Sequence, residues 1–184
     1  MTCVVAVIHE NNVWLGADSA AFADNDIITR SDEKVFQNED FIIGFSGSYR
    51  IGQLMRYAFS PPEKSTKMTE MSFMVTEFVD AIRNLCKEKG VLSKENDVET
   101  MEASLLIGYA GKIYCIEQDF QVSVLAEHYA AIGTGSQIAL GAFHALKDRK
   151  EIPPTERIQK ALVAAAEYSV GVRAPFVVIG QITR

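Results

Sequence analysis

A threonine follows directly on Met1, and removal of that methionine would leave a hydroxyl and a free α-amine in one residue, Thr2. The amine can take the proton of the hydroxyl, so that nucleophile and base come together in a single side chain and chain end. A Met-Thr start is common among proteins and gains weight only if other residues converge on it. Asp18 closes an apolar segment, 13–18, that would return beside the first one through the polar turn His9-Glu10-Asn11-Asn12. That return would make Thr2 and Asp18 neighbours. Lys34 opens a third segment after a polar loop. A lysine beside a threonine amine lowers the amine's pKa, because like charges disfavour each other, and a carboxylate beside the lysine keeps it charged and oriented. That carboxylate is expected to be Asp18.

Gly44 lies in Ile42-Ile43-Gly44-Phe45-Ser46-Gly47-Ser48, where an apolar strand runs into glycine and a helix start. It is expected to turn a backbone N–H toward a developing oxyanion and to let a substrate backbone come close. Gly133-Thr134-Gly135-Ser136 also precedes a helix, but Gln137 stands where a phosphate loop needs its lysine. A hydroxyl held near the nucleophile is the better reading of Thr134. The remaining candidates form no constellation. His9, His128 and His144 fall in a turn, beside a strand and within a helix, with no HExxH or Asp-rich loop that would bind a metal. Ser46 and Ser48 sit in a Gly-Phe-Ser-Gly-Ser stretch that lacks the final glycine of a serine-nucleophile elbow. Cys3, Cys86 and Cys115 are odd in number and show no CxxC spacing, so neither disulfides nor a cysteine-based zinc site is expected.

The elements that must position these residues read as follows. Segment 2–8 is apolar throughout, the pattern of a strand buried on both faces. Residues 34–36 and 41–45 read as a second hairpin, and 19–26 as a loop. Ser48 is expected to cap a helix through Ile51, Leu54, Met55 and Ala58, and a longer amphipathic helix carries Phe73 to Cys86 and stops at Gly90. Residues 88–101 read as a charged surface loop. Strands at 103–109 and 112–117, short ones at 122–125 and 129–132, a helix capped by Ser136, a second from 153 to about 168, and a closing strand at 175–179 complete the chain. Strands and helices come in blocks and do not alternate one by one, so the class is α+β. The arrangement expected is two mainly antiparallel sheets packed face to face with a helix pair on each outer face, in a single domain spanning 1–184.

Composition narrows the function. The chain is 48% hydrophobic and carries a net charge of −6, with no Lys/Arg run, which speaks against a nucleic-acid binder. No apolar stretch approaches the roughly 18 residues of a membrane span, and the start lacks the basic region and cleavage site of a signal peptide. A reducing, cytoplasmic setting is expected from the cysteines.

Taken in order and spacing, these pieces resemble the proteasome β-type family, and most of all its HslV-like bacterial branch. The matching pieces are Thr2, Gly16-Ala17-Asp18, Lys34-Val35-Phe36, Gly44-Phe45-Ser46-Gly47 before the first helix, and Ala131-Ile132-Gly133-Thr134-Gly135-Ser136 before an Ala/Leu/Gly helix. The resemblance covers nearly the whole chain. It implies a four-layer αββα sandwich of the N-terminal-nucleophile type and a threonine peptidase that needs no cofactor. It gives Thr2 the nucleophile's role, Lys34 the tuning of its amine, Asp18 the partnering of Lys34, Gly44 the oxyanion contact and Thr134 the neighbouring hydroxyl. Ile42, Ala21 and Ser46 would face the substrate. The family often has an aspartate near the end of its last long helix; here that region reads Ala166-Glu167-Tyr168-Ser169-Val170, and Glu167 or Ser169 would stand in. The resemblance further implies stacked rings of identical subunits, peptide or unfolded protein as substrate, and an ATP-driven unfoldase ring as partner. Two other activities fit the same fold: a ring protein without catalysis, and an amidohydrolase acting on a small amide.

Overall fold

The computed structural model describes residues 2–23, 26–149 and 151–180. Strands β1 (Val4–His9) and β2 (Asn12–Ala17) form the first hairpin. Glu10 and Asn11 turn it at φ 50° and 60°, two successive left-handed residues whose twist matches that of the flanking strands. Strands β3 (Ala20–Ala23) and β4 (Asp26–Thr29) make a small second hairpin where a loop was expected. β5 (Val35–Asn38), β6 (Phe41–Gly47) and α1 (Tyr49–Tyr57) follow, and then a helix that runs as α2 (Glu70–Phe73), a π-helical stretch (Met74–Phe78) and α3 (Val79–Glu88). The charged segment expected to be a loop is a fourth hairpin, β7 (Leu92–Glu95) with β8 (Val98–Met101), after the one formed by β5 and β6. The second half comprises β9 (Ala103–Tyr109), β10 (Lys112–Ile116), β11 (Val122–Val124), β12 (Tyr129–Ile132), α4 (Ser136–Leu146), α5 (Pro154–Tyr168) and β13 (Val177–Gly180).

One sheet has the order β12-β1-β2-β13 and the other β11-β10-β9-β6-β5, with every pairing among the described residues of these sheets antiparallel. Strand alternation sends each residue to one of three apolar layers. Val4, Ala6, Val13, Leu15, Val35, Ile42 and Leu106 fill the space between the sheets. Val5, Val7, Phe143, Ile158 and Leu162 join the first sheet to α4 and α5. Ile43, Phe45, Ile51, Phe78, Ile82 and Leu105 join the second sheet to α1 and α3. β1 is thus buried on both faces, as its unbroken apolar run requires, and the molecule is the αββα sandwich. Two expected caps differ. Ser48 occupies the N-cap of α1 without a side-chain bond, and Gly135, not Ser136, is the N-cap of α4. No helix among the described residues is long and apolar enough to cross a membrane.

Candidate active site

The register of three strands gathers the chemistry at one end of the sandwich. In the first sheet Val4 pairs with Ala17 on one side and with Ile132 on the other. Two residues further out, that pairing sets Thr2 and Cys3 against Asp18 and against the turn containing Thr134. The Asp18 N–H donates to the Cys3 carbonyl at 3.2 Å, and the Cys3 N–H returns a bond to Asp18 Oδ1 at 2.9 Å. The same carboxylate oxygen accepts from Lys34 Nζ at 2.7 Å. Asp18 Oδ2 accepts from the backbone N–H groups of Ala20 at 2.9 Å and Arg173 at 3.3 Å. One carboxylate therefore ties together the residue after Thr2, the lysine of the second sheet, the start of β3 and the segment before β13.

Asp18 and Lys34 are both about 1% exposed. Burial pushes the Lys34 ammonium below its ordinary pKa, and the adjacent Asp18 carboxylate opposes that fall. The Cys3 thiol is pushed up to about 12, first by burial and then by Asp18, so it stays protonated and does not compete as a nucleophile. Thr2 is 3% exposed. Its backbone nitrogen donates to Thr134 Oγ1 at 3.2 Å, and the Thr134 hydroxyl donates to the Thr2 carbonyl at 3.3 Å. The Gly135 N–H donates to that same carbonyl at 3.2 Å. The Thr134 hydroxyl thus sits on the nitrogen that becomes the α-amine when Met1 is removed; Met1 itself lies outside the described residues.

Other expected residues fall elsewhere. Gly44 is in the middle of β6, paired with Val35 and Leu106. A Cβ there would meet Val4 Cγ1 at 2.6 Å and Leu15 and Val35 at 3.2 Å. The missing side chain makes room for Val4 between the sheets. Ile42 has the same parity, is fully buried in the inter-sheet core, and packs where a Cβ on Gly108 would also touch Val13. Glu167 is exposed on the outer face of α5 beside Glu156, Lys160 and Val163, turned away from Thr2. Ser169 ends α5 one turn beyond Ala165, and its carbonyl accepts from Val172 N–H. Ala165 and Val172 both border Gly135, so of the two substitutes for a late aspartate only Ser169 approaches the Thr134 turn. Ala21 is buried in β3, paired with Ile28, next to the Ala20 N–H held by Asp18. Ser46 extends the inter-sheet face of β6 to the Thr2 end, where its Oγ would stand 2.8 Å from a Cβ on Gly133.

Three further residues, given no separate role from the sequence, border the site. Gly133, at φ +93°, has space for no side chain, since a Cβ would come 2.3 Å from the Thr2 carbonyl oxygen. Gly47, at φ +116°, is exposed at the end of β6. Along β6 the Phe45 N–H donates to the Lys34 carbonyl, and the Ser48 N–H donates to the Glu102 carbonyl across at β9. Alternation therefore turns the Gly47 N–H to the Lys34 edge, at the mouth of the site. Tyr49 forms a wall there: its hydroxyl donates to the Ala20 carbonyl at 3.4 Å, Arg30 stacks on its ring at 4.0 Å, and Lys34 Nζ lies 5.9 Å from the ring centre. The glycine pair flanking Thr134 was a readable signal. Choosing Gly47 over Gly44 required the strand's parity. Among the described residues no cluster of His, Cys, Asp or Glu could hold a metal ion.

The sequence matches the family described as "Proteasome subunit" over residues 1–169. It is 26% identical over 176 residues to the ATP-dependent protease subunit HslV of Caldicellulosiruptor saccharolyticus, with 92% of each chain covered. The fold superposes on Thiobacillus denitrificans BPH, solved in complex with epoxomicin, with a TM-score of 0.84 and 18% identity over 100% of both chains. It superposes on eukaryotic HslV from Trypanosoma brucei with a TM-score of 0.70 and 23% identity, over 97% of this chain and 98% of that one.

Proposed function

The chain belongs to the proteasome-subunit family, and from that premise we propose that it is a threonine-type endopeptidase subunit whose nucleophile is Thr2 once Met1 is removed. The observation that carries the reading is the shared oxygen of Asp18, bonded at once to the N–H of Cys3 and to Lys34 Nζ, beside a Thr2 nitrogen that already holds the Thr134 hydroxyl.

With Met1 gone, the Thr2 nitrogen is an amine of ordinary pKa about 7.7–8.0. The Lys34 charge, buried and held by Asp18, favours its neutral form, which is the form able to act as a base. The amine takes the proton from Thr2 Oγ1, directly or through the Thr134 hydroxyl, as the oxygen bonds to the substrate carbonyl carbon. The carbonyl oxygen becomes an oxyanion, for which the Gly47 N–H is the donor best placed. Collapse of this intermediate breaks the peptide C–N bond, and the proton held on the Thr2 amine passes to the departing nitrogen. Water then attacks the Thr2 ester, giving its proton to the same amine, and the acid product leaves as Thr2 Oγ1 regains that proton. Ser46, Ala21 and Tyr49 border the cleft, and Ser169 supports the Thr134 turn.

The chain assembles with copies of itself into stacked rings enclosing these sites, takes unfolded protein or peptides, and works with an ATP-driven unfoldase ring. Family membership and the naming of its HslV relative as an ATP-dependent protease subunit support this. So does the exposed apolar surface of Val163, Tyr168 and Val170 on and after α5, of a kind that marks subunit contacts. Hydrolysis of fluorogenic peptides by the assembled protein, compared with Thr2→Ala, tests the assignment. Turnover in the parent and none in the variant is expected. Equal turnover in both would remove Thr2 from the chemistry, and no turnover in either would leave a ring subunit without catalysis.

A further inference from the structure

The end of β1 remote from Thr2 carries a second concave site. A cavity of about 430 Å³ opens there, lined by Ile8, His9, His128, Tyr129, Lys147 and Arg157, within the range of about 300–1,000 Å³ typical of small-ligand pockets. Six residues of strand separate it from the threonine end, roughly 20 Å at strand rise. Arg157, on α5, is only 6% exposed, and its Nε is buried with no hydrogen-bond partner. No carboxylate pairs with its guanidinium among the described residues. Arg30, Arg56, Arg83 and Arg149 are paired with Asp32, Glu33, Glu99 and Glu151, and Arg50 and Arg173 are exposed to solvent, so Arg157 stands apart among the described residues in being both buried and without an acid. The two acids lining the cavity, Glu10 and Glu127, are exposed at its rim, and Glu10 faces His9 instead at 3.9 Å. An uncompensated buried cation is among the least favourable arrangements in a protein interior. A guanidinium presents planar paired donors suited to two oxygens of one anion.

We propose that this cavity binds a small oxyanion, a phosphate or carboxylate group seated on the Arg157 guanidinium, with Lys147 supplying a second positive charge at the mouth. His9 and His128 offer ring N–H donors beside them. The site is independent of the Thr2 chemistry and would be filled with or without it.

The test is calorimetric titration of the full-length protein with inorganic phosphate and, in a separate arm, with succinate, in chloride buffer at fixed ionic strength. One-site saturable binding of at least one probe is expected, and the tighter arm identifies phosphate or carboxylate as the natural head group. Thr2→Ala should bind like the parent, which separates this site from the catalytic assignment. Arg157→Met keeps the aliphatic stem and should weaken binding about 10- to 100-fold. Should circular dichroism show that variant unfolded, the exposed Lys147→Glu decides: weakened binding supports the site and unchanged binding overturns it. Saturation by neither probe, or a folded Arg157→Met that binds as the parent does, also overturns it. So does a change in sedimentation of Arg157→Met when the parent binds no anion, which would give the place to a carboxylate of a second copy.

Discussion

Replacing Asp18 with Asn removes one charge from a fully buried pair and tests the frame of the site without measuring any turnover. Asp18 accepts four bonds, from Cys3 N and Lys34 Nζ on Oδ1 and from Ala20 N and Arg173 N on Oδ2. An asparagine has a single acceptor oxygen, so in either orientation its NH₂ faces two donors, and Lys34 is left as a buried cation without a counter-charge. Breaking a buried pair from one side costs about 3–5 kcal/mol. For a chain of this length that lowers Tm by about 6–20 °C, at about 2–4 °C per kcal/mol. Urea unfolding at one fixed protein concentration reads the difference, since assembly adds to apparent stability. The double variant Asp18→Asn/Lys34→Met removes the stranded charge and should recover part of the loss. The pH dependence has a definite sign. Burial lowers the folded pKa of Lys34, while its unfolded value is about 10.4. Between the two, the unfolded chain binds more protons, so stability rises with pH. Without Asp18 the folded value drops further, the window opens downward, and the deficit of Asp18→Asn narrows as pH is raised. Lys34→Met removes that component. A single variant as stable as the parent, or a double variant no better than the single, would show that the Asp18–Lys34 pair does not hold this end of the sandwich together.

Gly44→Ala should lower Tm through overpacking against Val4, at a cost of about 1–3 kcal/mol; loss of turnover at an unchanged Tm would instead make Gly44 an oxyanion donor. Thr134→Val keeps the shape but removes the hydroxyl on the Thr2 nitrogen, and kcat should fall about 10- to 100-fold, whereas Thr134→Ser should retain activity. Glu167→Gln, on the outer face of α5, should leave both turnover and Tm unchanged, and a catalytic defect would restore it as the late carboxylate.

Much of this site was legible because it rests on strand pairing. The apolar run at Val4–His9, the polar turn at Glu10 and Asn11 and the return to Ala17 fix the neighbourhood of Thr2 and Asp18 by register alone. Lys34 followed, since a charge opening an apolar strand is conspicuous. The β3–β4 and β7–β8 hairpins were not legible. Their strands are only four residues long, Ala-Ala-Phe-Ala with Asp-Ile-Ile-Thr and Leu-Ser-Lys-Glu with Val-Glu-Thr-Met, too short and too mixed to show an apolar alternation, and both depend on pairing. The places of Ile42, Gly44 and Gly47 relative to the core were not legible, for one reason. They sit on a strand that runs from the inter-sheet core to the cleft, and the sequence does not say where along it the core ends. Glu167 shows the same limit on a helix, where one residue of rotation separates the packed face from solvent. Arg157 carries no signal in the sequence; its isolation emerges only from its burial without a partner for Nε.

Intact mass spectrometry of the purified protein before and after an epoxyketone probe, which reacts with both the hydroxyl and the amine of an N-terminal threonine, tests the central claim most directly. An N-terminal Thr2 nucleophile requires a chain lacking Met1 that gains one probe per subunit, with the adduct absent in Thr2→Ala. A chain that keeps Met1 and gains no probe, or an adduct that persists in Thr2→Ala, would contradict it.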